Sequence, residues 1–142
     1  MTHYLIYRSD ARHPFPHLSD FDILRTAWAH NQRVGISGYL VRTMHEFFQI
    51  LEGPREELDR LYTRISADER HSNVRLLSEG PLARRRFPNW AMGYAEAVED
   101  DPAASLFAKG LPDQDVAQLI KSFEELAAAR GAISGRAALL RE

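Results

Sequence analysis

Short apolar segments of strand-like composition recur through the first two thirds of the chain. They occupy residues 4–8, 34–42, 46–51, 73–78 and 87–96. Two intervening segments instead carry apolar residues at helical spacing, one around Leu24 and Trp28 and the other around Leu58 and Leu61. This order predicts an α+β, ferredoxin-like sandwich of the type βαββαββ, with both helices on one face of the sheet.

The segment 46–51 is apolar on both sides of the predicted strand. Alternation directs Phe47, Gln49 and Leu51 to one side and Phe48 and Ile50 to the other. Both faces of the sheet should therefore be covered, and Gln49 is a polar insertion in an otherwise apolar strand.

The composition changes after Glu96, where an acidic segment at 99–102 precedes a helical pattern over about 113–130. The apolar stripe of that pattern consists of Val116, Leu119, Ile120, Phe123 and Leu126. We expect residues 1–98 to form the domain and 99–142 a C-terminal helical extension. Its helices should pack on the sheet face that carries Ile6, Phe48 and Ile50.

Composition excludes several classes of protein. The 142 residues, 44% hydrophobic and 27% charged, suit a globular protein, and the net charge of −2 argues against nucleic-acid binding. The run Arg84–Arg86 is typical of a solvated strand entry. No apolar stretch approaches the ~20 residues of a membrane span, and no secretory signal begins the chain, so we expect a cytoplasmic protein with no membrane partner.

Conventional catalytic and metal-binding motifs are scarce. The absence of cysteine removes thiolate chemistry, and Pro14 and Pro16 prevent His13 and His17 from forming a helical metal pair. No serine lies in a GxSxG elbow. We therefore expect neither a metal site nor an enzyme.

Several polar and aromatic residues are instead predicted to point into one core. Tyr7 lies on the first strand, and Asn31 ends the apolar stripe of the first helix. Gln49 lies among phenylalanines, while Trp90 and Met92 share a face by alternation. Patterning leaves two interpretations open, a ligand site or a core with satisfied polar groups.

Longer motifs carry a family resemblance. They are Tyr7-Arg8-Ser9, His30-Asn31 followed by Gly35-Ile36-Ser37-Gly38, Phe47 to Gly53 (FFQILEG), Asp68 to Val74 (DERHSNV) and Arg85 to Met92 (RRFPNWAM). In order and spacing they resemble the BLUF domains, the blue-light sensors using flavin, from Tyr4 to about Tyr94.

The resemblance implies a flavin held between the two helices, FAD in preference to FMN. The photoactive residues would be Tyr7, Gln49, Trp90 and Met92, and the cofactor-binding residues Tyr7, His30, Asn31, Gln49, Arg64, Asp68, Arg70 and His71. For Arg64 and Asp68, one helical turn apart, a simple surface ion pair is the alternative. His45 and Asp10 depart from the family pattern.

The function implied by the resemblance is a blue-light photoreceptor that signals through hydrogen-bond rearrangement to a separate downstream protein. Self-association into a homo-oligomer is left open. Two other classes also remain at this point, a hydrolase of the acylphosphatase type and a flavin-free interaction module.

Overall fold

The computed structural model describes residues 2–97, 107 and 116–131. Within these residues lie five strands and three helices. They are β1 (Thr2–Ala11), α1 (Ser19–Val34), β2 (Ser37–Arg42), β3 (Glu46–Pro54), α2 (Arg55–Ser66), β4 (His71–Leu82), β5 (Gly93–Glu96) and α3 (Val116–Arg130).

The strands form one mixed sheet in the order β4-β1-β3-β2-β5. The first four strands pair antiparallel, and β5 adds to the edge parallel to β2. This arrangement confirms the ferredoxin-like α+β prediction. It places β1 and β3 in the interior of the sheet, where Tyr7 lies directly opposite Gln49.

Two separate hydrophobic clusters cover the two faces of the sheet. The first, under α1 and α2, includes Leu5, Leu24, Leu51 and Leu58. The second, under α3, has these buried members from the sheet, the segment before β5 and the helix: Ile6, Phe48, Ile50, Phe87, Leu119, Phe123 and Leu126. The prediction that the C-terminal amphipathic helix covers Ile6, Phe48 and Ile50 is confirmed. The more N-terminal part of the predicted extension, the acidic segment at 99–102 included, lies outside the described residues except for Phe107.

Two predicted strand boundaries are wrong for identifiable reasons. The second strand begins at Ser37 because α1 runs to Val34 and ends at Gly35, whose φ of 76° is left-handed and suits glycine. The fifth strand begins only at Gly93, because the backbone N–H groups of Arg86 and Phe87 donate to the Glu52 carboxylate at 2.9 Å instead of joining a ladder.

The first helix has no side-chain cap at its N-terminus. Ser19, its first residue, hydrogen-bonds His17 through its hydroxyl at 2.7 Å. Among the described residues, none of the helices is both long and apolar enough to cross a bilayer.

Candidate functional site

A cavity of about 440 Å³ opens between α1, α2 and the sheet. From the sheet side the cavity is lined by Tyr7, Gln49, His71 and, just before β5, Met92. From the helices and the turn after α2 it is lined by Ile23, Thr26, Ala27, His30, Leu61, Arg64, Ile65, Ala67, Asp68 and Arg70. The volume falls in the range of about 300–1,000 Å³ typical of cofactor sites. Its walls are largely apolar and its polar groups converge from several elements.

A chain of hydrogen bonds crosses the floor of this cavity. The Tyr7 hydroxyl donates to Gln49 Oε1, and Gln49 Nε2 donates to Met92 Sδ at 3.1 Å. All three side chains are buried. The β1–β3 register brings Tyr7 and Gln49 together, so the polar insertion in β3 has a defined partner.

Tyr7 is held in its neutral, donating form. Burial raises the pKa of its phenol well above the usual value, and the negative charge of Asp68 raises it further. A buried phenol of this kind is a proton donor at any ordinary pH. Its hydrogen bond to Gln49 is correspondingly stronger than it would be in water.

His30 and Arg64 lie together on the helix side of the cavity. Arg64 Nη1 is 3.0 Å from His30 Nδ1. Partial burial, and then the positive charges of Arg64 and Arg33, lower the pKa of His30, so its ring is disposed to be neutral.

Asp68 pairs with Arg70 and not with Arg64. The closest contact, Arg70 Nη2 to Asp68 Oδ2, is 2.6 Å. The hydrogen bond from Arg70 lowers the pKa of Asp68 and in return raises that of Arg70. The expected alternative of an Arg64–Asp68 helical pair is wrong because α2 ends at Ser66, before the second residue.

His71 has both ring nitrogens engaged within the protein. One nitrogen, Nε2, contacts the Ile65 carbonyl at 2.9 Å, and Nδ1 contacts Ser9 Oγ at 2.7 Å. Since a carbonyl only accepts, Nε2 carries the proton and Nδ1 accepts from the serine. Burial is the main cause that lowers the pKa of His71, in keeping with this neutral ring.

Asn31 is not among the residues that line the cavity. It is completely buried, its Nδ2 donates to the Ala91 carbonyl at 2.8 Å, and its Oδ1 has no hydrogen-bond partner among the described residues. An unsatisfied buried acceptor is costly, which suits a site completed by a donor from outside the chain.

Trp90 lies on the opposite side of the sheet from Met92. Its ring packs against Tyr39 and Phe87, with centroid distances of 5.7 and 6.1 Å, in the cluster under α3. The prediction that Trp90 and Met92 share a face is wrong because residues 90–92 are not part of a strand, so alternation does not apply. Of the two, Met92 contacts Gln49.

Several lining residues escaped the sequence interpretation although a signal was present. On α1, Ile23, Thr26 and Ala27 precede the predicted His30 in the i, i+3, i+4, i+7 pattern of one helical face. Ser9, two residues after Tyr7 on β1, does not line the cavity itself but contacts the lining residue His71. Asp10, in contrast, pairs with Arg75 at 3.0 Å and does not line the cavity.

The sequence matches the family described as sensors of blue light using FAD, BLUF, over residues 2–93. It is 34% identical over 103 residues to the photoactivated adenylate cyclase subunit beta of Euglena gracilis, an alignment that covers 70% of this chain and 12% of the cyclase. The chain thus spans only a small part of the curated relatives it matches.

Two solved structures share the fold. The dark-state structure of the BLUF protein BlrB superposes with a TM-score of 0.76 at 33% identity, covering 87% of this chain and 95% of that one. Klebsiella pneumoniae BlrP1 with FMN and cyclic diGMP superposes with a TM-score of 0.69 at 30% identity, covering 87% and 34%.

These findings place the chain in the BLUF family. It is a blue-light sensor domain, and domains of this family bind flavin. The cavity fits that cofactor, since it combines apolar walls for a flat ring with the polar groups of His30 and Arg64. Next to His30 on α1, Asn31 holds a buried acceptor that has no partner among the described residues.

Proposed function

We propose that the chain reports blue light by rearranging the hydrogen bonds of Gln49, and passes the change to a separate protein. The observation that carries this proposal is the chain Tyr7–Gln49–Met92 across the floor of the cavity. Its middle member is an amide, a neutral group that donates from one end and accepts at the other and that exchanges the two by turning over.

All but one of the proposed flavin-holding residues line the cavity; the exception is Asn31, which follows His30 in α1. Asn31 would accept a ring N–H at its free Oδ1, while His30 and Arg64 would offer donors to ring carbonyls. The Asp68–Arg70 pair and His71 would hold the remaining edge or the ribityl chain. When bound, the flavin supplies blue-light absorption and an acceptor for an electron and a proton from Tyr7.

Met92 gives the two orientations of the Gln49 amide different energies. With Nε2 toward the sulfur, the thioether accepts a hydrogen bond, as observed. With the amide turned over, Oε1 would face a sulfur that has no proton to give. The resting orientation is therefore held by two contacts, the hydrogen bond that Oε1 accepts from Tyr7 and the weaker one that Nε2 donates to Met92, and light would populate the other state.

A rearrangement at Gln49 can be transmitted from Met92 through the short strand that follows it. Met92 is followed immediately by β5, which ends at Glu96, and the N–H of Ala97 donates to the Arg42 carbonyl at 2.8 Å. We propose that residues 1–98 are the sensor and that 99–142 form an extension of it, whose α3 packs on the other sheet face.

The proposed role is sensing without catalysis, with FAD as the flavin. The cyclase relative shares only 12% of its length with this chain, so its activity is not transferred. The family description names FAD, whereas BlrP1 was solved with FMN.

The experiment is a light-minus-dark absorption spectrum of the purified chain, followed by chromatography of the released flavin. A flavin spectrum that shifts reversibly to the red under blue light supports the proposal, and the released compound should be FAD. A protein that binds flavin but shows no reversible shift would contradict the switch, and one that binds no flavin would contradict the site.

A further inference from the structure

His71, the first residue of β4, lines the flavin cavity and is held from two sides by its own chain. Ser9 Oγ lies 2.7 Å from Nδ1, and the Ile65 carbonyl oxygen lies 2.9 Å from Nε2. Three elements meet at the ring, since Ser9 belongs to β1 and Ile65 to the last turn of α2. Two hydrogen bonds therefore fix the orientation of this imidazole in the cavity wall.

The two partners also specify the protonation state of the ring. The carbonyl only accepts, so Nε2 carries the proton and Nδ1 accepts from the Ser9 hydroxyl. Ser9 is completely buried, and this is the only hydrogen bond its hydroxyl makes among the described residues. If Nδ1 were also protonated, it would donate to Ser9 and leave the hydroxyl hydrogen without an acceptor in that part of the chain. Ser9 thus favours the neutral imidazole.

The ring lies beside the proposed proton donor of the switch. The ring centroids of His71 and Tyr7 are 6.3 Å apart at an interplanar angle of 75°, and His71 also packs edge-on against Phe47 at 5.8 Å. The charged groups that act on His71 among the described residues, Asp68 and Arg70, pair with each other. Imidazole accepts protons near neutral pH, so a free lone pair at this position would compete for the Tyr7 proton.

We propose that Ser9 is a positioning residue that keeps the basic nitrogen of His71 out of the proton transfer at Tyr7. The inference rests on the proposed function, in which Tyr7 gives an electron and a proton to the flavin and recovers them. With both nitrogens engaged, His71 has no lone pair for this proton and meets the cavity through its carbon atoms and ring face. The Tyr7 proton then leaves only along its hydrogen bond to Gln49.

Without the serine hydroxyl, Nδ1 has a free lone pair and a second route opens. On illumination the electron of Tyr7 still passes to the flavin, but its proton goes to Nδ1, directly or through one water molecule, and forms an imidazolium. Electron and proton then both return to Tyr7 with no net change. Because this proton bypasses Gln49, the amide is not turned over, and fewer absorbed photons produce the red shift.

The first test is the state of the ring itself, read by ¹⁵N NMR of the flavin-loaded full chain in the dark with labelled histidine. At neutral pH the parent should show a protonated Nε2 and an unprotonated Nδ1 that accepts a hydrogen bond. Ser9→Ala should change the Nδ1 resonance and raise the pKa of His71 toward its ordinary value, because the donor that favours the neutral ring is gone. Unchanged His71 resonances in Ser9→Ala would overturn the proposal.

The second test is the quantum yield of the red shift as a function of pH. The parent yield should vary less than ~2-fold between about pH 6 and 8, where its His71 stays neutral. The Ser9→Ala yield should be at least ~3-fold lower at the upper end and should rise as the pH falls, because an imidazolium accepts no proton. Ser78→Ala is the matched control, since the Ser78 hydroxyl hydrogen-bonds Tyr4 at 2.8 Å on the other sheet face, and its yield should match the parent.

A double variant separates an action through His71 from a packing effect. In a His71→Phe background no ring nitrogen is present, so Ser9→Ala should cause no further loss of yield. A loss of equal size in both backgrounds, or one that does not depend on pH, would overturn the positioning role. The parent spectrum separates the two hypotheses. A parent without a reversible red shift would contradict the proposed function, whereas a normal parent with an equally normal Ser9→Ala would overturn only the role of Ser9.

Discussion

The two faces of the sheet are built from alternate residues of the same strands and have opposite character. Under α3, Ile6, Phe48 and Ile50 meet Phe123 in a close-packed apolar cluster. Under α1 and α2, their chain neighbours Tyr7 and Gln49 line a cavity and share a hydrogen bond. The face under α3 can therefore supply stability, while the face under α1 and α2 retains space and polar groups that can bind a ligand.

The largest effect should come from the cavity face. Tyr7→Phe removes only a hydroxyl, and Gln49→Leu removes an amide at similar volume, so we expect each variant to bind flavin and to lose the reversible red shift completely. Because both change one hydrogen-bond chain, their effects should not add. Light-minus-dark spectra measure this, with Ile50→Val on the other face as the control that should keep the shift. A normal photocycle in either cavity variant would contradict the proposal that the light response belongs to the cavity face and stability to the α3 face.

The next largest effect should come from the α3 face. Phe123 is fully buried, and its ring centroid lies 5.0 Å from that of Phe107, so Phe123→Ala should lower the free energy of unfolding by about 3–5 kcal/mol. Urea denaturation followed by circular dichroism measures it, and Lys121→Ala, at an exposed position of the same helix, is the control. The folded variant should keep its red shift. A loss below about 1 kcal/mol would mean that α3 contributes little to this face.

An intermediate effect is expected where α1 meets the cavity face. Asn31→Ala removes the free Oδ1 and leaves the Ala91 carbonyl without its donor. The flavin dissociation constant should rise roughly 5- to 150-fold, equivalent to about 1–3 kcal/mol. Fluorescence titration of free flavin measures the change, and Gln32→Ala, at the exposed neighbouring position, should leave affinity within a factor of about two. An unchanged flavin affinity in Asn31→Ala would show that the flavin ring does not contact Asn31.

The smallest predicted effect separates Met92 from Trp90. Met92→Leu keeps an apolar side chain of similar size but removes the sulfur that accepts from Gln49, so dark recovery should change about 2- to 10-fold with flavin still bound. Trp90→Phe, on the other face, should change recovery less than about 2-fold. The decay of the red-shifted absorbance after illumination measures both. The reverse ranking would show that Trp90 is the residue coupled to the amide.

The sequence was most informative where regular structure persists. Alternation along β1 and β3 correctly placed Tyr7 and Gln49 on one face and Phe48 on the other, and helical spacing identified the stripe that covers the second face. It failed for Trp90, because the buried Glu52 carboxylate takes backbone N–H groups that a strand would use. A contact so distant in sequence leaves no periodic signal.

The cavity was only partly predictable for a related reason. The motif residues named its polar members, and the helical face containing Ile23, Thr26 and Ala27 was readable from their spacing. The pairing of Asp68 with Arg70 depends on where α2 ends, and helix ends are set by local hydrogen bonds that composition does not specify.

The pairing of Tyr7 with Gln49 restricts which genetic changes a descendant of this gene can accept. A one-codon insertion or deletion inside β3 would turn over the side chains on one side of the change, sending Gln49 beneath α3 and Phe48 into the cavity. This single change would therefore remove light sensing and disrupt folding together. Length variation in this lineage should therefore accumulate in the segment between Ala11 and Ser19, where no strand register is at stake.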